Sequence, residues 1–120
     1  MTLLEAIARI EGFYVPGSRP NRNNNPGDIE WGAFARMNGA TALETPKGHE
    51  PARFAYFPTP EAGFAALHAL LSGPAYADLT IEEAINKYAP PSENNTANYV
   101  EQVCRNVGCE STDIVKEVLA

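Results

Sequence analysis

The sequence predicts an α+β fold that is mostly α, with a helical lobe and a small β element after the first helix. Three observations support this prediction: apolar residues recur at helical spacing over most of the chain, an early loop is rich in Asn, Pro and Gly, and short alternating stretches follow it. The 120 residues, 44% of them hydrophobic, show no repeat and no linker. We therefore expect residues 1–120 to form a single domain.

The first half of the chain is predicted to hold one helix and two short strands. Apolar spacing predicts a helix over residues 3–12. Turn formers predict a polar loop over 15–27, whose asparagines either bond their own backbone or contact a substrate. Alternation predicts strands at 28–31 and 53–57, separated by an irregular stretch with one helical turn near 34–38.

The second half of the chain is predicted to be helical. A proline at a first helical position, a Thr-Ile-Glu-Glu capping box and a glycine after a last turn mark the helix ends. The predicted helices run from Thr59 to Gly73, from Thr80 to about Tyr88, from about Asn94 to Gly108, and from a Ser111 cap to Leu119.

Charge argues against several classes of partner. The net charge is −6, and only nine Lys and Arg residues are present, too few to follow a phosphate backbone. We therefore expect no binding to nucleic acid or to an anionic membrane. No apolar run approaches the ~20 residues of a membrane span. A polysaccharide partner stays open, and a monomer is expected.

The two cysteines and two histidines have no spacing typical of a metal site, so we expect no metal and no cofactor. In a straight helix, the Cα atoms of Cys104 and Cys109 would lie about 8–9 Å apart, beyond disulfide reach. Gly108 could reverse the chain and bring them closer. Two free thiols are the prediction.

Glu11 is the candidate general acid. On a helical wheel it falls beside Leu4 and Ile7 on the apolar side, whereas Glu5 lies opposite. Desolvation at the end of an apolar stripe raises a carboxyl pKa, which suits an acid for glycosidic cleavage near neutral pH. The alternative is that the helix end frays and Glu11 turns to solvent.

Two polar segments supply further candidates, one in the Asn-rich loop and one around Tyr88. The second segment can also be read as a helix stop followed by an Asn cap, with Tyr88 as an aromatic at the edge of the core. Among these residues, Asp28, Glu30 and Glu93 are the plausible partners for a second-carboxylate role. The candidate substrate-binding residues are Asn24, Asn25, Asp28, Glu30, Tyr88, Glu93 and Asn94.

Motifs follow one another in a recognisable order. They are Ile10-Glu11-Gly12-Phe13, Arg22-Asn-Asn-Asn-Pro-Gly27-Asp28-Ile29, Phe54–Phe57 with Gly63, Tyr88-Ala-Pro, and Glu93-Asn-Asn-Thr-Ala-Asn-Tyr99-Val. This succession resembles the lysozyme-like proteins of phages and bacteria and, more distantly, the soluble lytic transglycosylases. The resemblance covers about residues 3–108.

The resemblance implies that Glu11 is the acid/base, that Tyr88 hydrogen-bonds near it, and that Asn24–Glu30 lines the sugar cleft. Two departures stand out. Gly12 follows the acid where transglycosylases have a small polar residue such as Ser, and Asn25-Pro-Gly-Asp28 stands in place of a Gly-Leu-Met-Gln-like segment.

The implied activity is cleavage of the β-1,4 bond between N-acetylmuramic acid and N-acetylglucosamine in peptidoglycan. Because only Glu11 stands out, we expect a single-acid lytic transglycosylase rather than a hydrolase, which usually needs a second carboxylate. The alternatives are a glycan-binding or structural module of a phage particle or secretion apparatus, and a chitin-directed hydrolase. A second acidic side chain across a cleft from Glu11 would discriminate between the two mechanisms.

The resemblance also implies action at the cell wall, in the periplasm or outside the cell. No basic segment precedes Glu5 and Arg9, so we expect no secretion signal in this chain. Either the protein stays in the cytosol until it is released, or a signal has been removed.

Overall fold

The computed structural model describes residues 1–119, which form seven helices and one two-stranded sheet. The predicted class, α+β and mostly α, is confirmed. Within these residues no helix has both the length and the apolar character needed to cross a lipid bilayer. The elements are α1 (Leu3–Glu11), α2 (Arg19–Arg22), α3 (Ala33–Met37), β1 (Ala42–Leu43), β2 (Ala55–Tyr56), α4 (Pro60–Ser72), α5 (Ile81–Tyr88), α6 (Thr96–Val107) and α7 (Val115–Val118).

The C-terminal end of α1 is fixed by the chain that follows it. Gly12 adopts the left-handed conformation (φ 87°), and the backbone N–H of Phe13 donates to the carbonyl of Ala8 at 2.9 Å. The Ser18 hydroxyl donates to the carbonyl of Gly12 at 2.6 Å. The last turn is therefore closed rather than frayed, and Glu11 is held as its final residue.

The polar loop predicted over residues 15–27 contains a short helix, α2, that was not predicted. The Ser18 hydroxyl accepts a hydrogen bond from the backbone N–H of Asn21 at 3.3 Å, and Pro20 lies in the first turn. A Ser cap and an early proline are ordinary signals of a helix start. They are hard to recognise here because the surrounding residues are mostly turn formers.

The strand predicted at residues 28–31 is wrong. Asp28 has a left-handed backbone (φ 51°), which cannot continue an extended strand. Only Glu30 forms an isolated bridge, with Phe54. The Pro-Gly turn before Asp28 therefore makes a bend instead of a strand.

The two-stranded sheet joins segments other than those predicted. β2 keeps only Ala55 and Tyr56 of the predicted strand at 53–57, and it pairs antiparallel with β1. β1 falls in the stretch expected to be irregular, and both its residues are exposed, so no alternation of burial marks it. The helical turn expected near 34–38 is α3.

The helices of the second half lie within two residues of their predicted bounds, apart from the last. The predicted capping box of α5 is confirmed: Thr80 and Glu83 exchange both of its hydrogen bonds. The predicted Ser111 cap is wrong, because α7 begins at Val115 after Ile114, without a side-chain cap. The carbonyl of Ser111 instead accepts the backbone N–H of Glu82 at 3.0 Å.

The hydrophobic core forms where α1 packs against α4 and α6. Apolar side chains from every helix of the second half reach it, which explains why their stripes follow helical spacing. The largest fully buried apolar side chains are Leu3, Ile7, Phe57, Leu67, Ile81, Val103 and Val115.

Candidate active site

A cleft of about 530 Å³ opens beside the C-terminal end of α1, and we name it the Glu11 cleft. One wall comes from the turn after α2 and from the region around β2. The other wall comes from α4, from the end of α5 and from the loop that follows it. The lining residues are Glu11, Gly27, Asp28, Ile29, Glu30, Arg53, Phe54, Leu70, Tyr76, Lys87, Tyr88, Ala89, Pro90, Glu93 and Asn94.

Glu11 lies partly buried in this cleft. Its Oε2 atom accepts a hydrogen bond from the hydroxyl of Tyr99 at 2.7 Å. Burial raises the pKa of Glu11 above its ordinary value, and the bond from Tyr99 partly opposes that rise. Glu11 therefore has the environment of a carboxyl group that keeps its proton at higher pH than usual.

Asp28 brings a second carboxyl group to the same cleft. Its Oδ1 atom is buried and has no hydrogen-bond partner among the described residues. Burial, followed by the negative charge of Glu11, raises the pKa of Asp28 to about 7. The positive charges of Arg19 and Arg53 oppose that rise. The carboxyl group of Glu11 thus contributes to the raised pKa of Asp28.

The turn that carries Asp28 is held by Asn25, whose side chain is fully buried. Its Nδ2 donates to the carbonyls of Ile29 and Ala55, both at 2.9 Å, and its Oδ1 accepts the N–H of Ile29 at 2.9 Å. These bonds satisfy the amide completely. The expectation that Asn25 binds substrate is wrong, because no part of it reaches the cleft.

Asn24 is also a structural residue rather than part of the cleft wall. Its Nδ2 donates to the carbonyl of Phe57 at 2.9 Å. Its backbone is left-handed (φ 51°), a conformation that Asn tolerates better than most residues. Asn24 is not among the residues that line the cleft, and a substrate contact there stays a prediction.

Tyr88 lines the cleft, but its hydroxyl does not bond Glu11. It donates to the carbonyl of Gly27 on the opposite wall. A Cβ atom at Gly27 would lie 2.6 Å from that hydroxyl and 2.8 Å from Leu67 Cδ1, so only glycine allows this approach. Tyr88 therefore hydrogen-bonds within the cleft that Glu11 lines, whereas the hydroxyl bonded to Glu11 itself is that of Tyr99.

Tyr99 was not singled out by sequence because its contact with Glu11 spans 88 residues. The local signals are its place in the motif that begins at Glu93, which gave it no role, and its place on the apolar face of α6, which any core tyrosine would share. It is nearly buried, at 5% exposure, so its hydroxyl needs a partner inside the protein. The packing of α6 against α1 supplies that partner.

The mouth of the cleft carries an exposed ionic group. Arg53 bonds the carboxylate of Glu30, and its Nη2 lies 3.9 Å from Glu93 Oε1 on the opposite side. Asn94 lines the cleft next to Glu93. Exposed ion pairs contribute little to stability, so these side chains are free to exchange partners when a ligand enters.

A buried ion pair beneath the β region was also missed by sequence. The side chain of Glu44 is only 1% exposed, and its Oε2 lies 2.7 Å from Arg19 Nη2. It also accepts the backbone N–H groups of Arg53 and Phe54, each at 2.8 Å. The bond from Arg19 is the main reason why the pKa of Glu44 falls to about 2. This ion pair therefore fixes the backbone at Arg53 and Phe54, whose side chains line the cleft.

Across residues 1–119 no three His, Cys, Asp or Glu side chains are grouped so that they could hold a metal ion. The Glu11 cleft itself offers two carboxyl groups, Glu11 and Asp28, with Tyr88 and Tyr99 close to them. One carboxyl can donate a proton and the other can attract or deprotonate a reacting group.

Comparison with models of known protein families finds no match for this chain. A search of curated protein sequences finds none either. The likeness to lysozyme-like proteins therefore stays a prediction from the motifs.

Proposed function

We propose that this protein is a glycosidase that cleaves the β-1,4 bond between N-acetylmuramic acid and N-acetylglucosamine in peptidoglycan. The observation that carries the proposal is the partly buried carboxyl of Glu11. It ends a closed helix, lines a cleft and accepts a hydrogen bond from Tyr99. Such a group meets the main need of glycosidic cleavage, a positioned acid with a raised pKa.

Glu11 is the general acid in this proposal. Its protonated carboxyl donates to the glycosidic oxygen as the bond to the muramyl carbon breaks. The resulting carboxylate then takes the proton of the incoming nucleophile. In a lytic transglycosylase that nucleophile is the 6-hydroxyl of the same muramyl residue, so one carboxyl group serves both steps and the product is a 1,6-anhydro sugar.

The lining of the Glu11 cleft suits an uncharged polymer with many hydroxyl groups. Arg53 offsets the charges of Glu30 and Glu93 at the mouth. Aromatic and apolar residues, among them Phe54 and Leu70, line the walls together with polar groups. Sugars bind such mixed surfaces through their apolar faces and hydroxyl edges.

Hydrolysis by water is the second candidate, and Asp28 is the observation that favours it. A hydrolase usually works with two carboxyl groups on either side of the scissile bond. Asp28 lines the same cleft and is close enough for the charge of Glu11 to raise its pKa. The nucleophile would then be water, activated by the ionised form of Asp28.

The test is incubation of purified peptidoglycan with the protein, followed by mass analysis of the released muropeptides. Anhydromuramic ends are expected for the transglycosylase, and reducing ends for the hydrolase. Asp28→Asn should leave most activity in the first case and remove most of it in the second. Glu30→Gln and Glu93→Gln serve as matched controls from the cleft mouth, and each should cost less than a change at Glu11.

The same experiment addresses the remaining candidates. Absence of any released fragment, with retained binding to the insoluble wall, would contradict the enzymatic proposal and favour a glycan-binding or structural module. Cleavage of chitin in preference to peptidoglycan would instead indicate the chitin-directed hydrolase.

A further inference from the structure

The two cysteines flank the C-terminal end of α6. Gly108 ends that helix in the left-handed conformation (φ 80°), which turns the chain back on itself. The backbone N–H groups of Gly108 and Cys109 both donate to the carbonyl of Cys104, at 2.8 and 3.1 Å. The bond from Cys109 is the 6→1 bond of a Schellman turn, while Gly108 donates to the same carbonyl rather than to that of Arg105.

A turn with this 6→1 bond brings together the side chains at the two positions that Cys104 and Cys109 occupy. In this motif the residue after the turn glycine contacts the helix residue five positions earlier. Each thiol is in fact close enough to shift the pKa of the other. The separation predicted from straight-helix geometry therefore does not apply, because Gly108 ends the helix between the two residues.

Both cysteines are free thiols in the structure and both are partly exposed. Burial is the main reason why the pKa of Cys109 rises to about 11, and burial also raises the pKa of Cys104. Neither thiol therefore resembles a catalytic nucleophile, which needs a lowered pKa. Their raised pKa values fit thiols that react slowly.

We propose that Cys104 and Cys109 are a disulfide-forming site, oxidised by exchange with an external disulfide, that locks the end of α6 to the segment following it. The inference is independent of the proposed glycosidase function. It gives a covalent role to the only two cysteines of the chain.

The exchange is balanced with a small-molecule disulfide such as glutathione disulfide. One cysteine thiolate attacks a sulfur of that disulfide, forms a mixed disulfide and releases one glutathione thiolate. The other cysteine then attacks the protein sulfur of the mixed disulfide and releases the second glutathione. The protein loses two electrons and two thiol protons, and the glutathione disulfide becomes two thiols.

The segment locked in this way is already tied to the start of α5. The backbone N–H of Ile81 donates to the carbonyl of Asp113 at 2.8 Å, and that of Glu82 donates to Ser111 at 3.0 Å. A disulfide at Cys109 would therefore join α6 covalently to the segment that caps α5. α6 also carries Tyr99, whose hydroxyl bonds Glu11. The disulfide would therefore restrict local unfolding of the helix that supports Glu11.

The experiment treats the native protein with glutathione disulfide at mildly alkaline pH, where more thiolate is present. Intact mass and thiol titration in denaturant are then measured, with the melting temperature before and after. We expect a loss of two hydrogens, no retained glutathione, no titratable thiol and no dimer on a non-reducing gel. Closure of so short a loop should raise the melting temperature by about 5–10 °C, and a reductant should reverse the rise.

Cys104→Ser and Cys109→Ser are the matched controls. Each variant retains one thiol, so oxidation should produce a glutathione adduct or a dimer and no thermal gain. Two glutathione adducts on the parent protein, or two thiols still titratable after oxidation, would overturn the proposal. An internal disulfide that lowers the melting temperature would also overturn it, since the native turn would then be strained by the bond.

Discussion

At the scale of single residues, the two carboxyl groups of the Glu11 cleft are stabilised unequally. Glu11 accepts the hydroxyl of Tyr99, whereas Oδ1 of Asp28 has no partner among residues 1–119. A buried carboxylate without hydrogen bonds is costly, so the folded protein favours the protonated form of Asp28. That preference makes stability depend on pH.

The first prediction concerns Asp28→Asn. The folded-state pKa of Asp28 is about 7, above its ordinary value of 3.8, so the folded protein binds the extra proton between those values. Its free energy of unfolding should therefore fall as pH rises through this window, and Asn should remove that loss. The gain near neutral to mildly alkaline pH should be on the order of 2–4 kcal/mol, since one pKa unit corresponds to about 1.4 kcal/mol.

Urea unfolding at several pH values measures this effect. Asn also tolerates the left-handed backbone at position 28, so the exchange changes charge with little backbone strain. Glu61→Gln on the exposed start of α4 is the control and should leave the pH profile unchanged. Parallel profiles for Asp28→Asn and the parent would show that Asp28 is not desolvated in the folded state.

Tyr99→Phe gives the second prediction. The Tyr99 hydroxyl lowers the pKa of Glu11 against the effect of burial, so its removal should raise that pKa further. If Glu11 is the acid, the alkaline limb of the kcat/KM profile should move to higher pH. Tyr56→Phe, at an exposed tyrosine of β2, should not move it. If the alkaline limb of Tyr99→Phe is unchanged, Glu11 is not the group that donates the proton.

Periodicity identifies residues whose role depends on local position, and misses those whose role depends on the fold. The partly buried position of Glu11 could be predicted because this residue ends the apolar stripe of its own helix. The hydrogen bond from Tyr99 to Glu11 could not be predicted, because the two residues are 88 positions apart. Asn25 was misassigned because an Asn-rich turn has the same composition whether its amides bind a ligand or pin the backbone.

At the scale of elements, the Asn-rich turn and α4 meet at an unusually close contact. A Cβ atom added to Gly63 would lie 2.0 Å from the carbonyl oxygen of Asn24 and 2.7 Å from Cδ of Pro26. Backbone atoms cannot move away as a flexible side chain can. Gly63 therefore determines how closely the turn carrying Asp28 packs on α4.

Gly63→Ala is the third prediction. Alanine normally favours a helix by up to about 1 kcal/mol over glycine, but here the clash should dominate and destabilise the protein by about 1–3 kcal/mol. The urea midpoint is the measurement. Gly32→Ala is the control, because its backbone is extended (φ 169°) and no atom lies within 4 Å of the added Cβ. A Gly63→Ala protein as stable as the parent would mean that the turn does not pack so tightly.

Helices could be predicted better than strands because their signals are local. α4, α5 and α6 each begin at a polar side-chain cap, and α1, α5 and α6 are strongly amphipathic. β1 and β2 are only two residues long, and three of their four residues are exposed. Such short strands cannot show the alternation of buried and exposed residues by which a strand is predicted. Their pairing is decided by the buried Arg19–Glu44 pair and the Asn25 bonds, which only the fold assembles.

At the scale of the whole molecule, the described residues share one hydrophobic core to which α1 and the helices of the second half contribute. The fourth prediction is that the chain unfolds in a single cooperative step. Trp31, near the β region, and the helical circular dichroism signal should therefore lose native character at the same urea concentration. Two separated transitions would contradict the expectation of one domain.

The most direct measurement compares Glu11→Gln with the parent protein on purified peptidoglycan. Gln keeps the shape of the side chain but cannot donate a proton, and general acid catalysis is worth about 10²–10⁴-fold. We predict a loss of release rate in that range, with the melting temperature and binding to insoluble wall material nearly retained, and with Glu61→Gln fully active. Parent-level release by Glu11→Gln would contradict the assignment of Glu11 as the acid, and no release by the parent itself would contradict the glycosidase.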